Sequence, residues 1–151
     1  MRILGLCGSL RRQSLNRAAL RAAQEVAPEG VAVHAAEIGD LPLYNEDARQ
    51  AGFPEPVHRL RSEISAADAL LFVTPEYNYS VPGVLKNAID WASRPPDQPF
   101  DGKPAAILGV TGGNFGTARA QYHLRQMLVY LNVQPLNKPE LFIGQARLKF
   151  D

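Results

Sequence analysis

Three short apolar runs, at residues 3–7, 69–74 and 105–110, carry no polar alternation, and each stops at turn-forming residues. A strand wetted on one face alternates apolar and polar side chains. An unbroken run therefore reads as a strand covered on both faces, the condition of a parallel sheet. Helical patterns fill the intervals, at 14–27, 55–67 and 83–92, with a fourth at 116–131. A weaker strand at 31–37 follows Pro28-Glu29-Gly30, and a last one at 140–143 follows the proline-marked stretch 134–139. Alternating strands and helices with right-handed crossovers predict an α/β doubly wound sheet of five parallel strands, in the order 2-1-3-4-5. A closed α/β barrel needs about 250 residues, and the chain has 151. We read residues 1–151 as one domain, with 93–103, which holds Pro95, Pro96 and Pro99, as a connection inside it. Few residues follow the fifth strand, where such a sheet normally carries one more helix. That last helix is expected to be missing, its face left to further chain or to a partner subunit.

Composition narrows the functional classes. Sixteen Lys and Arg against fifteen Asp and Glu leave a formal charge of +1. No overall field attracts nucleic acid or an anionic membrane, so an anion site must be local. No stretch approaches a membrane span. The single cysteine, Cys7, excludes an internal disulfide and a thiolate metal centre, which fits a cytoplasmic protein. Cys7 itself ends an apolar strand and reads as a small core residue rather than a nucleophile. His34, His58 and His123 lie far apart in sequence, and no metal site is expected.

Chemistry is concentrated in the loops after three of the strands, at the sheet edge where open α/β folds bind ligands. The first, residues 8–17, sets Ser9, Arg11, Ser14 and Asn16 where a helix begins. Free amides at the helix start, two hydroxyls, an amide side chain and a guanidinium suit a phosphate. The plainer reading makes Ser14 a helix cap and the arginines a solvated face. The loop is neither GxGxxG nor GxxxxGK[ST], so a monoester phosphate fits better than a dinucleotide or triphosphate. The second loop, residues 74–83, holds Tyr77 and Tyr79 among polar groups and two prolines that restrict the backbone, which suits a flat heterocycle. The third, residues 111–116, has Gly112 and Gly113 to admit a ligand close to the backbone, with Asn114 and a stackable Phe115.

The stretches Gly8-Ser9-Leu10-Arg11 with Ser14 and Asn16, then Pro75-Glu76-Tyr77-Asn78-Tyr79-Ser80, then Gly83-Val84-Leu85-Lys86-Asn87-Ala88-Ile89-Asp90-Trp91, resemble the NAD(P)H-dependent FMN reductases. This is a flavodoxin-like family that includes quinone, chromate and azo reductases, and the resemblance runs over residues 3–150. It implies an FMN phosphate on Ser9, Arg11, Ser14 and Asn16. The isoalloxazine would lie against Pro75, Glu76, Tyr77, Asn78, Tyr79 and Ser80, with Gly112, Gly113 and Asn114 completing the site. NADPH or NADH would reduce the flavin at its N5, and a small-molecule acceptor would then take two electrons in the same space, so no side chain is expected to be catalytic. Glu76 is read as a positioning group, and Lys86, Asn87 and Asp90 as local caps or pairs. Relatives of this kind commonly form homodimers or homotetramers, which makes Trp91, Arg94, Arg119 and Tyr122 interface candidates beside ordinary surface or core roles. A flavodoxin-type FMN electron carrier is the alternative, and the absence of a one-signed surface argues against it.

Overall fold

The computed structural model describes residues 1–150. The three apolar runs become β1 (Arg2–Cys7), β3 (Ala69–Val73) and β4 (Pro104–Val110), neighbours in one parallel sheet ordered β2-β1-β3-β4-β5. The weaker strand, β2 (Ala32–Ala35), pairs with β1 at one edge. The far edge corrects the sequence reading, because six strands form rather than five. The last strand is split into β5 (Gln134–Pro135), beside Pro104–Ala105, and β6 (Leu141–Ile143), beside Leu108–Val110. Pro135 and Pro139 have no amide to donate, so a continuous ladder along β4 breaks between them.

Side chains alternate across this sheet, as the pleat dictates. Leu4, Leu6, Leu70, Phe72 and Ile107 face α3 (Glu55–Ala66), α4 (Gly83–Ala92) and α5 (Ala118–Tyr130), where Val57, Leu60, Ile64, Leu85, Trp91, Leu124 and Leu128 complete the larger core. Cys7, Val73, Leu108 and Val110 face α1 (Leu15–Glu25) through Ala19 and Leu20. After β6 the described chain makes a 3-10 turn, Ala146–Leu148, and Ala146 is fully buried on the α1 face. A short helix that the periodicity did not predict, α2 (Glu46–Gln50), starts where the Asn45 side chain accepts from the Asp47 amide at 2.8 Å. No helix among the described residues is long and apolar enough to cross a membrane.

The structure decides among the side-chain roles left open for this region. Trp91 was an interface candidate, yet it is 0% exposed in the single chain. Its indole donates to the Pro42 carbonyl at 2.8 Å, and its ring meets Tyr44 edge-on at 4.9 Å. Asn87 acts at long range rather than locally. Its carboxamide donates to Pro42 (2.9 Å) and accepts from the Tyr44 amide (2.8 Å), pinning the segment that follows β2 onto α4. Lys86 and Asp90 do pair locally, at 2.7 Å one turn apart. Arg94 turns inward as well, donating to the Asp90 carbonyl at 3.0 Å beneath the Tyr44 ring.

Arg61 organises the proline-rich connection. Its guanidinium donates to the carbonyls of Ala92 (2.7 Å), Arg94 (2.6 Å), Asp97 (3.3 Å) and Pro96, and it lies 4.4 Å from the centre of the Phe53 ring. Arg61→Met keeps the stem and removes every donor, and an expected loss of about 3 kcal/mol follows from hydrogen bonds to a charged group. Urea unfolding measures it; a change below about 1 kcal/mol would show that water replaces these bonds without cost.

Candidate functional site

β1 ends at Cys7, and the chain turns through Gly8, whose amide donates to the Val73 carbonyl at 2.9 Å. Ser14 is the cap of α1, accepting from the Arg17 amide at 3.3 Å. The amides of Leu15 and Asn16, the first two helical residues, have no partner inside the helix, and the helix dipole places partial positive charge at that end. Ser9 and Ser14 are buried beside them, while Arg11 is exposed with its guanidinium on the Gln13 carbonyl (2.9 Å). The Ser9 carbonyl accepts from Arg17 Nε at 3.1 Å, which fixes the loop to its own helix.

Asn16 has a task that sequence reasoning missed. Its carboxamide donates to the Val110 carbonyl and accepts from the Val110 amide, both at 2.9 Å, across 94 positions of sequence. The side chain expected to donate to phosphate thus clamps the end of β4 to the start of α1, leaving one side-chain hydrogen and the backbone amide for a ligand.

The second loop is shaped by a turn more than by its prolines. Tyr77 and Ser80 exchange two backbone hydrogen bonds (3.0 and 2.9 Å), and the two residues between them, Asn78 (φ 49°) and Tyr79 (φ 67°), are both left-handed. This is the geometry of a two-residue hairpin turn with mirror-image dihedrals, which favours Asn-Gly. Asn78 was the legible half of that signal; tyrosine stands where glycine is usual. Ser80 points away toward α5, with Oγ 2.9 Å from His123 Nδ1.

Glu76 is tied to a helix end. α5 begins at Ala118 after a left-handed Thr117 that makes no side-chain cap. The Glu76 carboxylate supplies the missing acceptor, taking the Ala120 amide at 3.2 Å, and it pairs with Arg119. Arg119 lies 3.7 Å from the centre of the Tyr79 ring and 5.0 Å from that of Phe115. Tyr122 stays exposed, its hydroxyl donating to Glu140 at 3.2 Å.

The third loop leans on the chain that follows β6. The Thr111 amide donates to Ile143, the Ala146 amide to Thr111 (3.1 Å), and the Gln145 amide to Gly113 (2.8 Å). Gln145 Nε2 also donates to the Asn114 side chain at 3.2 Å. A side chain at Gly144 would meet the Asn114 carbonyl at 2.6 Å, so this close approach requires glycine.

Together the three loops enclose two adjoining clefts that share Glu76 and Thr111. One, of about 210 Å³, is bordered by Ser9, Arg11, Ser14, Asn16, Pro75, Tyr77 and Gly112; the other, of about 360 Å³, by Asn78, Tyr79, Gly113, Asn114, Phe115, Thr117 and Arg119. Of the thirteen expected site residues, Ser80 alone borders neither. Thr117 and Arg119 join the site from beyond the three loops, because loop closure rather than local pattern brings them there. Among the described residues no group of three or more His, Cys, Asp or Glu could hold a metal ion.

Cys7 is buried behind the first loop at 7% exposure, and burial pushes its thiol above the usual range. Alkylation needs the thiolate. Iodoacetamide at pH 8 is therefore expected to modify the native protein at least tenfold more slowly than the urea-unfolded chain, with a native rate that climbs as pH rises; equal rates would contradict the buried placement.

The sequence matches the family described as NADPH-dependent FMN reductase over residues 1–147. It is 63% identical over 151 residues to an NAD(P)H-dependent FMN reductase of Pseudomonas aeruginosa, covering 100% of this chain and 82% of that protein. It is 49% identical over 153 aligned positions to a quinone reductase of Escherichia coli, covering 100% of this chain and 81% of the relative. Among solved structures, the flavoenzyme FerB, an NAD(P)H:(acceptor) oxidoreductase of Paracoccus denitrificans, superposes with a TM-score of 0.89 at 43% identity, over 95% of this chain and 79% of that one. The chain belongs to the NADPH-dependent FMN reductase family. It is an oxidoreductase with a flavodoxin-like fold, and its cofactors are FMN and NAD(P)H.

Proposed function

We propose that this protein passes two electrons from NADPH or NADH, by way of bound FMN, to a small acceptor of the quinone or flavin type. The observation that carries the reading is the pair of joined clefts: a helix start with free amides and hydroxyls opens into a wider space walled by tyrosine and phenylalanine. That sequence of chemistries matches a phosphomonoester joined to a flat ring. The α1 amides, Ser9, Ser14 and Arg11 would hold the phosphate. Pro75, Glu76, Tyr77, Asn78 and Tyr79 would border the ring on one side, and Gly112, Gly113 and Asn114 on the other. FMN would supply the redox chemistry, accepting electrons in pairs from a nicotinamide and releasing them to the acceptor. The chain's own part is to orient the ring, leave one face open, and offer backbone donors where negative charge gathers on reduction.

An open cleft accommodates azo and oxyanion acceptors as well as quinones. A homo-oligomer belongs to the same proposal, supported by large apolar side chains left exposed on α5, Val129 and Tyr130, and along the last strand segments, Leu136, Leu141 and Phe142. The single cysteine supports a reducing, cytoplasmic setting.

The test is an anaerobic titration of FMN-loaded protein, freed of unbound FMN, with NADPH. Full bleaching by one equivalent, reversed on adding a quinone, is expected. Retained FMN that NADPH cannot reduce would favour the electron carrier, and FMN lost on gel filtration would remove the cofactor site itself.

A further inference from the structure

We infer that Arg119 is a positioning residue for the ring cleft: with its charge anchored on Glu76, the guanidinium props the Tyr77–Ser80 turn in its left-handed form, so that α5 sets the aromatic wall. The inference rests on the FMN reading above only for its consequence; the turn itself can be observed without any ligand.

The need for a prop follows from backbone chemistry. A left-handed residue with a Cβ crowds its own carbonyl, which asparagine tolerates and tyrosine does not. Tyr79 nevertheless sits at φ 67°, directly after Asn78 at φ 49°. The residue is 67% exposed, so burial in the core cannot be what holds it. Compensation must come from something that touches the side chain. Three α5 residues reach the loop: Ala120 holds Glu76, His123 holds Ser80, and Arg119 lies over the Tyr79 ring. Only the last acts on the strained residue's side chain.

Arg119 is suited to that work. Its partner Glu76 is nearly buried, with a side chain 9% exposed, and is fixed in turn by the Ala120 amide, so the cation has a rigid base. Its Nε is buried without a hydrogen-bond partner, and the flat group meets aromatic rings instead. Phe115 belongs to the third loop, so one guanidinium touches both aromatic walls of the 360 Å³ cleft. Substituting Arg119 should therefore change the cleft by releasing Tyr79.

A double-mutant cycle tests this, because Tyr79→Gly supplies the residue that the turn accepts without strain. FMN affinity is read by fluorescence quenching on the apoprotein, and the conformation of residue 79 by its amide–Hα coupling and short-range proton contacts in NMR of the apoprotein. Arg119→Met is expected to weaken FMN binding about fivefold, the scale of a partly exposed cation–ring contact, and to abolish the left-handed signature at Tyr79. In the Tyr79→Gly background the same change should alter FMN affinity by less than about twofold, with the turn intact. An equal loss in both backgrounds would mean that Arg119 acts on FMN directly and would overturn the inference. So would a persistent left-handed Tyr79 in Arg119→Met. Should Arg119→Met not fold, Arg119→Gln is read by the same NMR signature. If the wild-type apoprotein shows the turn yet binds no FMN, the functional reading fails while the prop stands.

Discussion

Asn16→Ala is expected to lower the unfolding free energy by about 3 kcal/mol, since a buried donor and a buried acceptor each cost about 1–3 kcal/mol when left unpaired. Both groups belong to Val110, which is 3% exposed and directs its amide and carbonyl at this one carboxamide. Water has little access to replace them. The same substitution frees the first loop from the third, so FMN retention should fall along with stability. Asn16→Asp separates the two effects. A carboxylate still accepts from the Val110 amide, but it faces the Val110 carbonyl and sets negative charge at the proposed phosphate site. It should lose FMN at least as completely. Urea unfolding followed by fluorescence, with FMN retention on gel filtration, measures both. A shift of under about 1 kcal/mol for the alanine variant, at an unchanged urea dependence, would show that the clamp is not stabilising.

Gly109→Ala should have a comparable effect for a different reason. A Cβ at this β4 position would run into Thr117 Oγ1 and the Thr74 carbonyl, with Thr117 Cβ at 2.9 Å. Thr74 and Thr117 are fully packed, at 0% and 1% exposure. Overpacking of this kind costs about 1–3 kcal/mol, and a backbone carbonyl among the clashing atoms points to the upper end. For a chain of this length that lowers Tm by about 10 °C. Thr117→Gly in the same background should recover part of the loss, because it removes one clashing hydroxyl and relieves a left-handed residue at φ 66°. Calorimetry decides it. If Gly109→Ala melts with the wild type, the β4–α5 junction has more room than these contacts allow.

How much of this could be read in advance differs from element to element. The runs ending at Cys7, Thr74 and Val110 declare strands because a doubly covered strand needs apolar residues on both faces, a demand met locally. Ser14 announces the start of α1 for the same reason, a cap being a bond across three residues. Gly112, Gly113 and Asn114 lie at a sheet edge that topology alone makes a binding edge. The split of the last strand was half legible, since Pro135 and Pro139 forbid a continuous ladder, but which residues pair depends on where β4 lies. Asn16 could not be read at all as a partner of Val110, nor Trp91 as one of Pro42. Both bonds span tens of residues, and an asparagine or tryptophan looks the same in sequence wherever its partner is.

The amino-acid sequence by itself determined the α/β order, the parallel sheet, the edge at which the loops gather, and the family to which they belong. All of these depend on patterns a few residues long, where hydrophobic periodicity, turn chemistry and helix capping act directly. Only the tertiary structure decided that Glu76 caps α5, that Arg119 reaches Tyr79, and that Gln145 braces Asn114. Those contacts form when helices dock on the sheet and bring separate loops within hydrogen-bonding distance. Their energy is a property of the assembled fold, and no local stretch of chain contains it.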